Sequence, residues 1–114
     1  MSWLIKRLDD PDETTYFEKG RLDVVRLGDT VVGRATYEPG WKWSRHASNG
    51  AQLCDVSHVV MVLEGRNRVT MADGSNFIME PGDIVSVGPG HDSEVIGDEP
   101  YVSLHFEGTE EYAS

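Results

Sequence analysis

Cysteine is almost absent from this chain of 114 residues, in which Cys54 is the only one. A single cysteine excludes an internal disulfide, so the chain is not a small secreted fold held together by several disulfides. The lack of cysteine pairs also favours a reducing compartment, and the cytoplasm is therefore the expected location.

Basic residues are also scarce, because 10 Lys and Arg stand against 20 Asp and Glu and give a net charge of −10. Nucleic-acid binding depends largely on Lys and Arg contacts to phosphates, so we predict no nucleic-acid partner. Long apolar runs are missing as well, and the N-terminus reaches Asp9 and Asp10 before any apolar core develops. We therefore predict neither a signal peptide nor a membrane span.

Helical periodicity is missing between residues 20 and 107, where short runs of apolar and β-branched residues end at Gly, Pro or Asp turn signals. The predicted strands cover residues 22–27, 30–37, 41–46, 56–63, 66–71, 76–79, 84–87, 93–96 and 101–106. Turns repeated about every eight to twelve residues are typical of an all-β sandwich or barrel. The chain is too short to bury two separate cores, so we predict one domain.

Two features bear on its organisation. Residues 1–20 are polar and charge-dense, and we predict an N-terminal strap packed on a barrel domain formed by residues 21–114. Residues 56–63 are almost continuously apolar, without alternation, which predicts a central strand buried on both faces. A small core with such a strand suggests that barrels pair, and a homodimer is the expected assembly.

Glycine and histidine occur at fixed spacings in the second half of the chain. Gly40 is followed after five residues by His46, and His58 stands seven residues before Gly65. Gly82 and Gly90 then occupy turn positions, and the strings PGWKWSRH (residues 39–46) and PGHD (residues 89–92) are further landmarks. This pattern resembles the two motifs of the cupin superfamily, and within it a subgroup of small single-domain bacterial cupins. The resemblance implies a double-stranded β-helix, a jelly-roll barrel built around one pocket.

The pattern also departs from that family. Ser48 stands at the position of the second motif histidine, His58 at that of the glutamate, and Ser93 at that of the last histidine. The metal ligands that the resemblance implies are therefore not simply transferable to this chain.

A histidine cluster replaces them in our prediction. His46, His58 and His91 would converge from three neighbouring strands, since His91 shares its strand face with Ser93. Three histidines suit a divalent transition metal; zinc or iron is favoured, with nickel, copper or manganese as alternatives. The competing interpretation is that each histidine is a hydrogen-bonded structural residue, and that His91 braces the preceding Gly-Pro-Gly turn.

Other residues are candidates for the pocket. Cys54 is either a ligand or a small buried residue, because free cysteine buries readily. Trp41 and Trp43 would form an aromatic wall for a small ligand, or close the barrel, or lie at a subunit contact. Ser93 is expected in the pocket, whereas the alternation of residues 101–106 predicts that His105 points outward.

Three functions remain open at this point. The leading hypothesis is a metal-binding barrel whose pocket handles a small organic molecule. The second is a non-catalytic ligand-binding or sensor module, and the third is a metal-free structural barrel. Whether the protein is an enzyme stays open, because this fold class carries many unrelated reactions.

Overall fold

The computed structural model describes residues 2–48 and 50–107, which form nine strands and one short helix. In chain order these are β1 (Glu13–Phe17), β2 (Gly20–Leu27), β3 (Thr30–Tyr37), α1 (Trp43–His46), β4 (His58–Glu64), β5 (Arg66–Met71), β6 (Asn76–Met79), β7 (Ile84–Val87), β8 (His91–Ile96) and β9 (Tyr101–Glu107). The predicted all-β class is confirmed.

The strands form two antiparallel sheets. The larger sheet has six strands in the order β1-β2-β3-β9-β4-β7, and the smaller has three in the order β6-β5-β8. Neighbours in the large sheet come from both ends of the chain, because β9 inserts between β3 and β4. This crossing of distant segments is the arrangement of a jelly-roll barrel, and it brings the middle and the end of the chain to one interior.

The hydrophobic core lies between the two sheets. Alternate residues of the strands point inward and are buried, and the cluster consists of Leu22, Val24, Ala35, Tyr37, Trp41, Val60, Val62, Val69, Met79, Val87, Val95 and Tyr101. Burying an apolar side chain of this size contributes about 1.5–3 kcal/mol relative to leaving it exposed. The cluster therefore fixes which face of each strand lines the barrel interior.

Gly65, between β4 and β5, lies against the backbone of Pro100 immediately before β9. Its φ is +73°, and a Cβ built there would collide with the carbonyl oxygen of Pro100. Only glycine avoids both the strain of the left-handed region and this collision. The turn after β4 therefore depends on the absence of a side chain.

The N-terminal segment includes β1, the edge strand of the large sheet, which the sequence pattern did not predict. The Asp12 carboxylate accepts hydrogen bonds from the Lys6 ammonium (2.9 Å) and the Arg26 backbone N–H (2.7 Å). Arg34 of β3 donates to Asp9 (2.9 Å) in the same way. The division between a strap of residues 1–20 and a barrel of residues 21–114 stays a prediction.

The predicted strand at residues 41–46 is wrong. Lys42 makes an isolated bridge with Glu94, and the chain then turns into the helix α1. Residues 43–46 contain no β-branched side chain to favour a strand. The backbone N–H and hydroxyl of Ser44 both donate to the Asp92 carboxylate, which anchors the helix on β8.

The expectation for residues 56–63 is also corrected. The strand β4 begins at His58, and His58, Val60 and Val62 are buried while Val59 is half-buried and Leu63 is 40% exposed. The strand is thus buried on its inner face only, because β4 forms part of one of two packed sheets rather than a covered central sheet.

Asn49 and residues 108–114, the end of the predicted barrel domain, lie outside the described residues. Among the residues that the structure does describe, no helix is long and apolar enough to cross a membrane.

Candidate functional site

A cavity of about 50 Å³ lies inside the barrel between the two sheets. Its walls are apolar and aromatic apart from a small set of polar side chains, and the lining residues are Tyr37, Trp41, Trp43, Cys54, His58, Val60, Asn67, Val69, Met79, Val87, His91, Ser93, Tyr101 and His105. Small, mostly apolar cavities with a few convergent polar groups are the usual form of ligand and metal sites.

Cys54 reaches this cavity by pairing with the start of β8. Its backbone N–H donates to the carbonyl of His91 (2.6 Å), and its carbonyl accepts from the N–H of Gly90 (2.7 Å). The two residues form an isolated antiparallel bridge. Residues directly opposite in such a pair project to the same face, so the bridge places the Cys54 and His91 side chains together.

His58 approaches the pair from the opposite sheet. It is the first residue of β4, opposite Val87 of β7, and it is 6% exposed. Its Nε2 lies 3.5 Å from the Cys54 Sγ. Its ring also meets that of His91 edge-on, with the ring centroids 5.3 Å apart.

Cys54, His58 and His91 each offer one ligand atom, and these three atoms lie within 4.8 Å of one another. All three side chains are buried. A tetrahedral zinc site with ordinary Zn–S and Zn–N bonds separates sulfur and nitrogen by about 3.6 Å. The observed Sγ–Nε2 separation of 3.5 Å matches that value, and it also suits an S–H···N hydrogen bond without metal. The residues present therefore fit a transition-metal ion.

The orientation of the His91 ring is set by a contact with the backbone of the preceding turn. Its Nδ1 lies 2.7 Å from the carbonyl oxygen of Gly88. A carbonyl only accepts, so Nδ1 carries a proton in this contact, and Nε2 is the nitrogen left to bind a metal ion. Backbone carbonyls orient metal-binding histidines in this way. Burial raises the pKa of the Cys54 thiol, with smaller contributions from Asp55 and Asp92.

His105 of β9 lies behind this cluster. Its ring meets the His58 ring at 88°, with the centroids 5.6 Å apart. Its Nε2 is 3.2 Å from the Ser103 hydroxyl. Burial, and then the neighbouring His58, lower the pKa of His105 to about 3. A neutral imidazole therefore packs against the ring of His58.

No protein-family model matches this chain, and no curated protein matches it in sequence. In structure it is similar to a protein of unknown function from Rhizobium leguminosarum bv. viciae, with a TM-score of 0.63 and 22% identity over 94% of this chain and 97% of that one. A cupin 2 domain-containing protein from Halorhodospira halophila gives a TM-score of 0.61 and 20% identity over 81% of this chain and 66% of that one. The chain has the cupin fold.

Ectoine synthase from P. lautus is a further neighbour of this cupin barrel, with a TM-score of 0.67 and 12% identity over 92% of this chain and 78% of that one. The predicted resemblance to cupins is thereby confirmed at the level of the fold. Similarity at this identity identifies the fold and leaves the chemistry to the site.

The structure brings together only part of the predicted ligand set. His58 and His91 lie in the cluster, and Cys54 joins them. His46 lies on α1, where its Nδ1 accepts a hydrogen bond from the backbone N–H of Lys42 (2.9 Å). It is not among the described residues that line the cavity, because the helix replaces the strand that was expected to carry it there.

The other residues predicted for the pocket line the cupin cavity, and so does His105, which was predicted to point outward. Trp41, Trp43 and Ser93 are all lining residues. The expectation that His105 points outward is wrong, since it is 7% exposed and lines the cavity. Its neighbours Val102 and Leu104 occupy the outer face of β9 instead.

Sequence reasoning missed Asn67 and Tyr101, which also line the cavity. Both lie on inward-facing positions of strands whose boundaries were predicted to within one residue. Testing the alternative face of residues 101–106, in which Tyr101, Ser103 and His105 point inward, would have found the polar lining of β9.

Proposed function

We propose that this cupin barrel binds a divalent transition metal through Cys54, His58 and His91 and receives a small organic ligand in the adjoining cavity. The observation that carries the proposal is the convergence of one thiol and two imidazoles, all buried, within 4.8 Å. His46, part of the ligand set expected from the sequence, is left out because it lies on α1 and is not among the described residues that line the cavity.

The donor set favours zinc or iron. A thiolate with two imidazoles is a common zinc ligand set, and the same softness suits iron, nickel or copper better than manganese. Three protein ligands leave a coordination position open, and when bound the metal would supply a Lewis-acid centre there. Cys54 and His91 are held by the backbone bridge, while the Gly88 carbonyl orients the His91 ring.

Metal analysis tests this proposal directly. Protein purified without a histidine tag should carry close to one transition-metal ion per chain, measured by elemental analysis. Cys54→Ala, His58→Ala and His91→Ala should each lose most of it, whereas His46→Ala should retain it. Metal retained in both His58→Ala and His91→Ala, or lost in His46→Ala alone, would contradict the assignment. Metal-free wild-type protein would favour the structural barrel, in which a Cys54–His58 hydrogen bond stabilises the core.

Ligand binding without turnover is the second candidate function. Among the described residues, no carboxylate lines the cavity, and the lowered pKa of His105 keeps that imidazole neutral. The lining thus lacks the carboxylates that many acid–base reactions use, and its remaining titratable cluster, Cys54, His58 and His91, is the proposed metal site. One structural neighbour, ectoine synthase, is named as an enzyme. The cavity residues of this chain instead favour a module that binds or senses a ligand. A metal-loaded protein that binds ligands and turns none over would support it.

A homodimer and a cytoplasmic location complete the proposal. Ile84, Leu63 and Phe106 are 71%, 40% and 49% exposed, and with Met61 and Leu104 they form an apolar surface on neighbouring strands β7, β4 and β9. We refer to these five residues as the outer apolar face. A second copy of the chain would cover it by two-fold symmetry, since such faces are typical of subunit contacts. A reducing cytoplasm would keep Cys54 available as a thiolate ligand.

A further inference from the structure

Two buried polar atoms in the cavity have no hydrogen-bond partner among the described residues. They are the indole N–H of Trp41 and the amide oxygen Oδ1 of Asn67. Both side chains are 1% exposed, and both line the cavity. A buried donor or acceptor left unsatisfied costs about 1–3 kcal/mol, so native proteins seldom retain one without a reason.

Sheet register places the two residues in one row. Asn67 of β5 lies directly opposite Val95 of β8, and the backbone N–H of Val95 donates to the carbonyl of Trp41 on the other side (2.9 Å). Asn67 and Trp41 therefore flank the same residue of β8. His91 lies four residues earlier on that strand, about 13 Å along the backbone. The row is therefore offset along β8 from His91, the cluster residue on that strand.

The indole of Trp41 is held in place by its neighbours. Its ring is stacked on Tyr37 with the centroids 3.7 Å apart and the planes parallel, and Tyr37 is in turn stacked near Tyr101 at 6.0 Å. A fixed indole presents its N–H in a fixed direction. A ligand that accepts this hydrogen bond would therefore lose little binding free energy to side-chain ordering.

The volume of the cavity and the charge of its lining restrict which ligands can bind next to Trp41 and Asn67. The cavity of about 50 Å³ has room for roughly four non-hydrogen atoms, at about one water-sized group for each 10–15 Å³. Among the described residues, no Lys or Arg lines it. A carboxylate placed against Trp41 would therefore have no cationic side chain to offset its desolvation.

We infer that the cavity recognises a small uncharged group of the carboxamide type, whose carbonyl accepts from the Trp41 N–H and whose N–H donates to the Asn67 Oδ1. This inference rests on the proposed use of the cavity as a ligand pocket. It names the ligand chemistry that would satisfy both buried polar atoms at once. A carboxylate of the same size can accept from the Trp41 N–H but has no hydrogen to donate to the Asn67 Oδ1.

Acetamide and acetate are the matched probes, since they have the same shape and differ in charge and in the N–H donor. They are titrated into metal-free, ¹⁵N-labelled protein, so that acetate has no metal to bind. The chain has three tryptophans and thus three indole signals, and the Trp41 signal is identified by its loss in Trp41→Phe. Acetamide should shift this signal saturably with a Kd in the millimolar range, and acetate should bind at least tenfold more weakly.

Variants then test each contact. Asn67→Leu should weaken acetamide binding about tenfold, and Trp41→Phe should do the same when ligand signals are observed. Trp3→Phe, at a residue 64% exposed, is the matched control and should change nothing. If Asn67→Leu does not fold, the loss of acetamide binding in Trp41→Phe still tests the inference. Equal shifts with acetate and acetamide, or an unmoved Trp41 signal in folded protein, would overturn the inference.

Metal loading separates this inference from the proposed function. Asn67→Leu and Trp41→Phe should retain as much zinc as the wild type, because neither residue belongs to the cluster. Zinc bound normally with no preference for acetamide refutes the ligand class alone. Acetamide binding in a protein that takes up no metal refutes the metal site alone.

Discussion

The carboxylate of Asp92 receives two hydrogen bonds from Ser44, at 3.0 Å from the backbone N–H and 2.7 Å from the hydroxyl. Ser44 lies in the first turn of α1, a helix whose own N-cap residue, Lys42, makes no side-chain cap. A residue of β8 therefore supplies the helix cap that the local sequence lacks. It also anchors α1, which carries the cavity residue Trp43, beside the strand that begins at His91.

Removing this anchor should destabilise the barrel. We expect Asp92→Asn and Ser44→Ala each to lower the free energy of unfolding by about 1–3 kcal/mol, since hydrogen bonds to a half-buried carboxylate are lost. Urea denaturation followed by tryptophan fluorescence measures the change. Glu94→Gln is the matched control, because Glu94 forms an exposed pair with Arg68 at 3.7 Å and such pairs contribute under about 1 kcal/mol. Equal losses in Asp92→Asn and Glu94→Gln would contradict the anchoring role.

Zinc should stabilise the folded protein. A ligand present at one hundred times its Kd adds about 2.7 kcal/mol to the free energy of unfolding, which for a domain of this size raises Tm by roughly 10 °C. Differential scanning calorimetry with and without a chelator measures the shift. His91→Ala should abolish the shift and His46→Ala should keep it. A wild-type Tm indifferent to zinc would argue against the site.

Alkaline stability should depend on Tyr101. Burial raises the pKa of this phenol to about 12 from an ordinary value of 10.0, and a hydrogen bond with Ser103 offsets part of the effect. The neutral buried phenol is therefore favoured by folding, and its contribution is fully present below pH 10 and lost as the pH rises through about 12. Urea denaturation across that interval should show a steeper loss of stability for wild type than for Tyr101→Phe. Tyr16→Phe, at a residue 75% exposed, should follow the wild type; identical slopes in all three would refute the assignment.

The outer apolar face should control assembly. Ile84→Glu places a charge at its most exposed residue and should convert a dimer to a monomer, measured by size-exclusion chromatography with light scattering. Ile78→Glu is the control, because Ile78 is 40% exposed on β6 of the other sheet and should leave the dimer intact. A wild-type protein that is monomeric at high concentration would rule the interface out.

Most strands could be predicted from the sequence because turn-forming residues next to them mark where they end. Asp73-Gly74 marks the hairpin between β5 and β6, and the Gly65 turn ends β4, as the structure has them. The α1 segment could not be predicted this way, because its cap comes from Asp92, which lies 48 residues after Ser44. Local patterns carry no information about a partner that only the fold brings near.

The site was predictable only in part for a similar reason. His58 and His91 followed from spacing, but Cys54 joins them through a backbone bridge outside any continuous strand. His105 was misplaced because the rule that apolar residues face inward fails on β9, whose inner face carries polar side chains of the cavity lining. Val102 and Leu104 cover the outer face of β9, while Ser103 and His105 line the inside.

The bridge between Cys54 and His91 has a consequence for exchange between conformations. The segment that carries the thiol is held to β8 by three backbone hydrogen bonds, between Cys54 and residues Gly90 and His91. Because the coupling between two equilibria is reciprocal, a metal ion that joins Cys54 to His91 would lower the population of conformations in which this segment is detached from β8. By the same factor, any variant that detaches the segment would lower the affinity for the metal ion. The ordered population of this loop and the metal occupancy of the centre would therefore change in the same direction.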